Sequence, residues 1–334
     1  MTIPRLLRKL SGPVAVATLA FSTSGCSDDE PAEPTGSKHE PTTCAAGETV
    51  IGAFQVQLEA ADSSTQVIGQ VKDKPQPANL NWTDTLEDGD CRVQEPSAPF
   101  CDPGCGGEVC VEGNTCVPHA VGHSVGEVTI KGVKLESGEP QLVLKEINTN
   151  YQAPPATTYV FPPFAEGDAV EVHATGSDYP GFDLLALAIA PLELTSTELA
   201  VETGKPLELT WKAPGDPEPS SILLKLDISH HGGLRGRIEC NTADDGELTI
   251  SAELMTALIE LGVAGFPTIE LTRVSSGGAS ISQGCVELRV SSFVSHAVTV
   301  AGVTSCTGTT CEADDTGCIP CPDGQTCRMD LTCQ

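Results

Sequence analysis

Gly122-His123-Ser124-Val125-Gly126 has the G-x-S-x-G form in which a serine on a sharp strand-to-helix turn offers its hydroxyl to a histidine base for acyl transfer. The following residues, Glu127-Val128-Thr129-Ile130, alternate like a strand, and no βαβα succession is present to build the parallel sheet that such a site needs. The motif therefore reads as a glycine-bounded loop, and an exported hydrolase using Ser124 or a histidine-bound metal is the enzymatic alternative. His119 and His123 stand four apart, as in H-E-x-x-H zinc helices, but Ala120 occupies the glutamate position and Pro118 and Gly122 make a poor helix. His230-His231-Gly232-Gly233 ends an alternating run. Neighbouring side chains on an extended chain point to opposite sides, which predicts a strand-end turn rather than a histidine-bound metal. Asp84, Glu87, Asp88 and Asp90 form one acidic group, and Glu312, Asp314 and Asp315 another. Neither has the D-x-D-x-D-G alternation that calcium asks for, so both read as solvated loops. No catalytic residue, metal ligand or cofactor is assigned from these patterns.

Cysteine carries more information. Cys26 follows Thr23-Ser24-Gly25, an apolar run from Val14 to Phe21, and the basic residues Arg5, Arg8 and Lys9. That order is expected of a bacterial lipoprotein signal with Cys26 as the lipidated residue, although Thr23 stands where such signals usually carry Leu; ordinary cleavage and free secretion is the alternative. The apolar run is far shorter than the roughly 20 residues that span a bilayer. The remaining cysteines fall into groups of even size: Cys44, Cys91, Cys101, Cys105, Cys110 and Cys116; then Cys240 and Cys285; then Cys306, Cys311, Cys318, Cys321, Cys327 and Cys333. Each group can close its own bridges, as expected in an oxidising compartment. Zinc at Cys318-Ile-Pro-Cys321 is the lesser reading, since no second C-x-x-C pair accompanies it.

The chain carries a formal charge of −28. A charge of this sign repels phosphate backbones and anionic headgroups, which argues against nucleic-acid binding and electrostatic membrane docking; its simplest role is solubility. Aromatic residues make up only 4%, so disulfides are expected to supplement modest cores.

Two-residue alternation dominates the chain. It runs through Phe54, Val56 and Leu58, through Leu207, Leu209 and Trp211, through Ile222, Leu224, Leu226 and Ile228, and through Val286, Leu288 and Val290. The fold class expected is mainly β: two β-sandwich-like domains with a disulfide-rich insertion and a disulfide-rich C-terminal tail. One helix is expected, capped by Ser251, with Leu254, Leu258 and Leu261 on one face and Gly262 ending it. The domains expected are a signal peptide at 1–25, a flexible acidic tether at 26–43, and a β domain at 44–190 with a stapled insertion at 91–116. A second β domain follows at 191–303, then a cysteine-rich tail at 304–334. Insertion and tail share C-x-x-G-x-T-C, at Cys110 to Cys116 and Cys321 to Cys327, in which a turn glycine suits a short disulfide-closed loop.

Gly204-Lys-Pro-Leu-Glu-Leu-Thr-Trp211-Lys-Ala-Pro-Gly215 resembles the second strand of fibronectin type III and related immunoglobulin-like domains, where a Trp follows alternating apolar residues. That resemblance implies a sandwich with a buried Trp. The helix and an expected Cys240 to Cys285 bridge depart from it. Lipobox, acidic tether, β domains and cysteine-rich tail together resemble cysteine-rich lipoproteins of myxobacterial type, which implies an envelope location and no activity. The function expected is a lipid-anchored, non-enzymatic envelope protein whose β domains bind a protein or a glycan. The membrane is engaged through the N-terminal lipid, and the expected location is the outer membrane or, without the lipid, the secreted fraction. A structural envelope component without a specific ligand is the third reading.

Overall fold

The computed structural model describes residues 40–215, 219–307 and 317–334. The expectations for Cys26, Cys311, Glu312, Asp314 and Asp315, for the signal, and for most of the tether lie outside those residues. The described chain is mainly β, as its alternation predicts.

Two strands of 14 residues, Thr268–Ile281 and Gly284–Ala297, pair along their whole length as an antiparallel hairpin. This hairpin is the spine of the molecule. At one end Val286, Leu288 and Val290 enter a first hydrophobic core with Phe54, Val56 and Leu58; at the other, Ile269 and Leu271 enter a second core with Leu209, Trp211 and Leu224. Strand Val50–Glu59 lies parallel beside Gly284–Ala297, and Ser64–Lys72, Asn150–Gln152 and Lys145–Ile147 extend the sheet outward from it. On the other flank come Ser221–Asp227, Arg237–Ala243, Cys91–Ser97 and Asn81–Asp88. One continuous long sheet thus serves both cores.

The first core is closed by a four-stranded sheet, Pro180–Leu187, Ala169–Gly176, Val128–Lys131 and Gln141–Val143. Gly277 lets the spine approach this layer, because a Cβ there would run into the Leu185 carbonyl. The second core is closed by the pair Leu207–Thr210 and Glu247–Ile250, by Ala200–Val201 with Thr299–Val300, and by the helix Ala252–Glu260. Ser251 caps that helix by accepting the Leu254 N–H at 3.4 Å; Leu254, Met255 and Leu258 are buried, and Gly262 follows at φ +96°. Cys91 and Val93 belong to the second core, and Val286, Leu288 and Val290 to the first, so each core draws strands from both ends of the chain.

Between the cores the spine turns polar. Arg273 and Asp244 form a salt bridge at 2.6 Å with side chains 1% and 0% exposed. The rest of their hydrogen-bonding capacity is also used. Asp244 accepts from Trp211 Nε1 at 2.8 Å and Ser220 Oγ at 2.7 Å, while Arg273 donates to the carbonyls of Ala190, Pro191 and Lys212. Ser292, opposite Arg273 in the hairpin, accepts the Leu192 N–H at 2.9 Å. These groups satisfy the backbone of residues 190–192 as the chain passes from one core to the other, a crossing that would otherwise bury unpaired polar atoms.

The disulfides correct the expectation that each cysteine group closes on itself. Cys240 bonds Cys91, and Cys285 bonds Cys44, so no Cys240–Cys285 bridge exists. The sheet is the reason: Cys91 and Cys240 face each other on adjacent antiparallel strands with Cα atoms 4.1 Å apart. The Gly278 N–H donates to Thr42 O at 2.6 Å, and Thr42 Oγ1 donates to Gly278 O at 2.8 Å, so the last tether residues are held against the spine beside Cys44. The stapled insertion is shorter than 91–116. Residues 91–97 are sheet, and Cys101–Cys110 with Cys105–Cys116 staple only the segment after them. In both C-x-x-G-x-T-C segments the glycine adopts the expected left-handed turn, Gly113 at φ +75° and Gly324 at +86°. The flanking cysteines bond elsewhere, Cys110 to Cys101, Cys116 to Cys105, Cys321 to Cys333 and Cys327 to Cys306. Cys318 is disulfide-bonded as well, which removes the thiolates that a zinc site needs.

Removing either half of the Arg273–Asp244 pair strands a buried charge and its partners. Arg273→Ala and Asp244→Ala should each lower the unfolding free energy by about 3–5 kcal/mol, measured by urea unfolding with disulfides intact and Trp fluorescence as the signal. A loss below about 1 kcal/mol in both variants, the size of an exposed pair, would contradict the role given to this bridge.

Candidate functional site

The residues singled out in the sequence are not gathered into one centre. Gly122–His123 is a two-residue strand paired with Ser64–Lys72, so Ser124 leaves a strand for a loop rather than for a helix. Among the described residues, the hydrogen-bond partners of Ser124 Oγ are Glu146 Oε2 at 2.8 Å, Tyr151 Oη at 3.3 Å and the Gly126 N–H at 3.3 Å, none of them an imidazole. His123 faces Asp178 at 3.7 Å and stacks on Tyr179 at 4.6 Å. His119 Nδ1 meets Gln76 Nε2 at 2.8 Å. Ser124, Glu146 and Tyr151 form a clasp, with the buried Tyr151 hydroxyl also accepting the Val125 N–H at 2.8 Å, that pins the Lys145–Gln152 hairpin to the loop. Glu146 and Tyr151 lie too far along the chain from Ser124 for any local pattern to have joined them.

His230 and His231 correct the expectation that neighbouring imidazoles diverge. His231 has φ +62°, the chain turns there, and the rings lie 4.0 Å apart. No third ligand joins them: among the described residues, the clusters of three or more metal-ligating side chains are Cys101, Cys105 and Cys110, and Cys306, Cys321 and Cys327. Those sulfurs are all in disulfides. Nor is the first acidic group a loop. Asp84, Glu87 and Asp88 lie on the edge strand Asn81–Asp88, Asp84 accepts from Gln94 Nε2 at 2.7 Å, and Asp90 in the following turn accepts from Thr242 Oγ1 at 2.7 Å.

What the structure does assemble is an amide-lined groove on the outer face of the long sheet. The inward face of its first half carries Phe54, Val56, Val67, Val71 and Tyr151. Alternation sends their neighbours outward, and the register places them in cross-strand rows. One row reads Gln152, Ile68, Gln55, Arg289; the next reads Asn150, Gln70, Ala53, Glu287. With Lys74, Pro75, Gln76 and Asn148 these rows line a groove of about 1000 Å³. Its lining contains six side-chain amides, namely Gln55, Gln70, Gln76, Asn148, Asn150 and Gln152. Each amide offers a donor and an acceptor from one rigid plane, which suits recognition of hydroxyl-bearing ligands. The signal was present in the sequence as Gln at alternating positions, Gln55 and Gln57, Gln66 and Gln70.

No protein-family model matches the chain, and no curated protein sequence matches it. Among solved structures, the FN1–FN3 domains of chicken CNTN1 align over 70% of this chain and 72% of that one, at 9% identity and a TM-score of 0.18. A superposition that loose bears no weight, and the β-sandwich-like architecture rests on the strands and cores themselves.

Burial raises all three tyrosines above the ordinary phenol value near 10. Tyr159 is pushed up to about 12 by burial alone. For Tyr151 burial is again the largest cause and outweighs the hydrogen bonds from Ser124 and Val125, which act the other way. The folded state therefore holds these phenols neutral: the contribution of Tyr159 to stability is complete below pH 10 and is lost as pH rises through about 12, and those of Tyr151 and Tyr179 are lost above the ordinary phenol value. Ultraviolet difference titration should show no tyrosine ionising at the ordinary value until the protein unfolds. A normal phenol titration of the folded protein would contradict the burial. For Ser124, a fluorophosphonate probe should leave the intact mass unchanged; stoichiometric labelling would restore the hydrolase reading.

Proposed function

We propose that this protein is an exported, non-enzymatic binding protein of the cell envelope, anchored by lipid at Cys26, whose ligand lies in the amide-lined groove of the long sheet. The observation that carries this reading is the groove itself. Four of its six amides, Gln55, Gln70, Asn150 and Gln152, stand on a strand-built floor behind which one buried core is packed, and sites on strands hold their geometry better than sites on loops.

Several features support the setting. Disulfides throughout the described chain fit maturation in an oxidising compartment. Among the described residues no helix is long and apolar enough to cross a membrane, and the lipid at Cys26 supplies the attachment in this reading. Thr42 and Cys44 fasten the end of the tether to the spine, so the binding face is carried on a rigid body and the anchor on the segment before it.

Two changes separate anchor from ligand. Cys26→Ser should move the protein from the membrane to the soluble fraction while leaving its unfolding midpoint unchanged. In-cell cross-linking of the tagged protein should recover envelope material that is depleted when Gln55, Gln70 and Gln152 are replaced together by Ala. Recovery unaffected by the triple replacement would remove the groove from the function, and membrane retention of Cys26→Ser would remove the lipid.

A further inference from the structure

We propose that the groove takes a carboxylate-bearing polysaccharide, its amides binding the hydroxyls and Lys72, Lys74 and Arg289 binding the carboxylates. The inference rests on the reading of this face as the ligand surface and names the chemical class of the ligand.

The charge distribution is the first argument. The chain has 46 acidic residues against 18 Lys and Arg, yet the groove lining includes Lys72, Lys74 and Arg289 and no carboxylate. Asp73 and Glu287, adjacent in sequence and register, keep their negative charge but are held by hydrogen bonds to Val121 and Arg289 and do not line the groove. Asp73, between the two lysines, accepts the Val121 N–H at 2.8 Å, and its own N–H donates to the Val121 carbonyl at 2.9 Å. Glu287 accepts from Arg289 Nε at 2.9 Å and Nη2 at 2.5 Å, which fixes the guanidinium on the floor beside Gln55. At physiological salt the Debye length is about 8 Å, so a bound anion senses these cations more than the acidic remainder of the chain.

A protein partner asks for an apolar centre with an aromatic or arginine anchor inside a polar rim. Here Ile68, 38% exposed, stands between Gln152 and Gln55, the only aromatic ring in the lining is the buried Tyr151, and six amides and three cations supply the hydrogen-bonding groups. Hydroxyl groups both donate and accept, as amides do, and a chain of them can follow the rows of the sheet at the strand spacing of about 4.8 Å.

The test is calorimetric titration of the full chain carrying Cys26→Ser, at about 0.15 M salt, with four probes: polygalacturonate, alginate, the methyl ester of polygalacturonate, and polyglutamate. Binding of either carboxylated polysaccharide is expected, weakened about tenfold or more by esterification and by the combined Lys72→Gln, Lys74→Gln, Arg289→Gln replacement. The unfolding midpoint of that variant should be unchanged, since all three side chains reach solvent. Equal binding of the methyl ester would overturn the carboxylate assignment while leaving a glycan in the groove. Polyglutamate bound as tightly as the polysaccharides would overturn the glycan assignment. If no probe binds, the inference fails; the ligand-face reading still stands if the Gln55, Gln70, Gln152 replacement depletes cross-linked envelope material, and falls with it otherwise.

Discussion

Two hydrophobic cores built on one sheet create a difficulty where the chain crosses between them, and the Arg273–Asp244 pair resolves it. Ile189 is buried in the first core and Leu192 in the second, so the peptide groups between them pass through the interior. Arg273 takes the two carbonyls and Ser292 takes the N–H. Asp244 neutralises the arginine and holds Trp211 and Ser220 with its remaining capacity. A buried ion pair is seldom a net source of stability compared with apolar side chains of the same shape. Here the alternative would have to supply hydrogen bonds to the crossing backbone as well, which no hydrocarbon can do. The pair therefore fixes how the two cores meet, and the face that bears the groove is the outward side of the same sheet.

The strands of the spine, the capped helix and the buried Trp211 were legible because each leaves a local pattern: alternation, a capping serine with a terminal glycine, an aromatic following apolar residues. Disulfide partnership was not legible. Cys240 could be seen to need a partner, but its identity depends on residues 91–97 lying beside 237–243, and only strand order decides that. The same limit hid the waist, since Arg273 and Asp244 look like ordinary surface charges in a sequence so rich in acid. The groove fell between these cases. Its glutamines were visible, and their convergence needed the register of four strands.

Chemistry suggested by short motifs dissolved for a related reason. Among the described residues, the G-x-S-x-G serine has no imidazole partner and neither pair of histidines gains a third ligand. Ser124 found a carboxylate and a phenol, and His123 found Tyr179. The histidine pair that did come together, at His230 and His231, did so through one left-handed residue that the extended-strand argument had not allowed for.

The parallel placement of Val50–Glu59 beside Gly284–Ala297 has a consequence for how such a chain is made. A polypeptide delivered from its N-terminus exposes the first strand and Cys44 long before their partners arrive, for Cys285 lies 241 residues further on. Through that interval Cys44 meets Cys91, Cys101 and Cys105 first, and thiolates react with whatever sulfur is accessible. Any bridge that Cys44 forms in that interval must be exchanged before Cys44–Cys285 can close. Exchange by a disulfide isomerase removes such a bridge, whereas simple oxidation of neighbouring thiols leaves it in place and the first strand unfastened from the centre of the sheet.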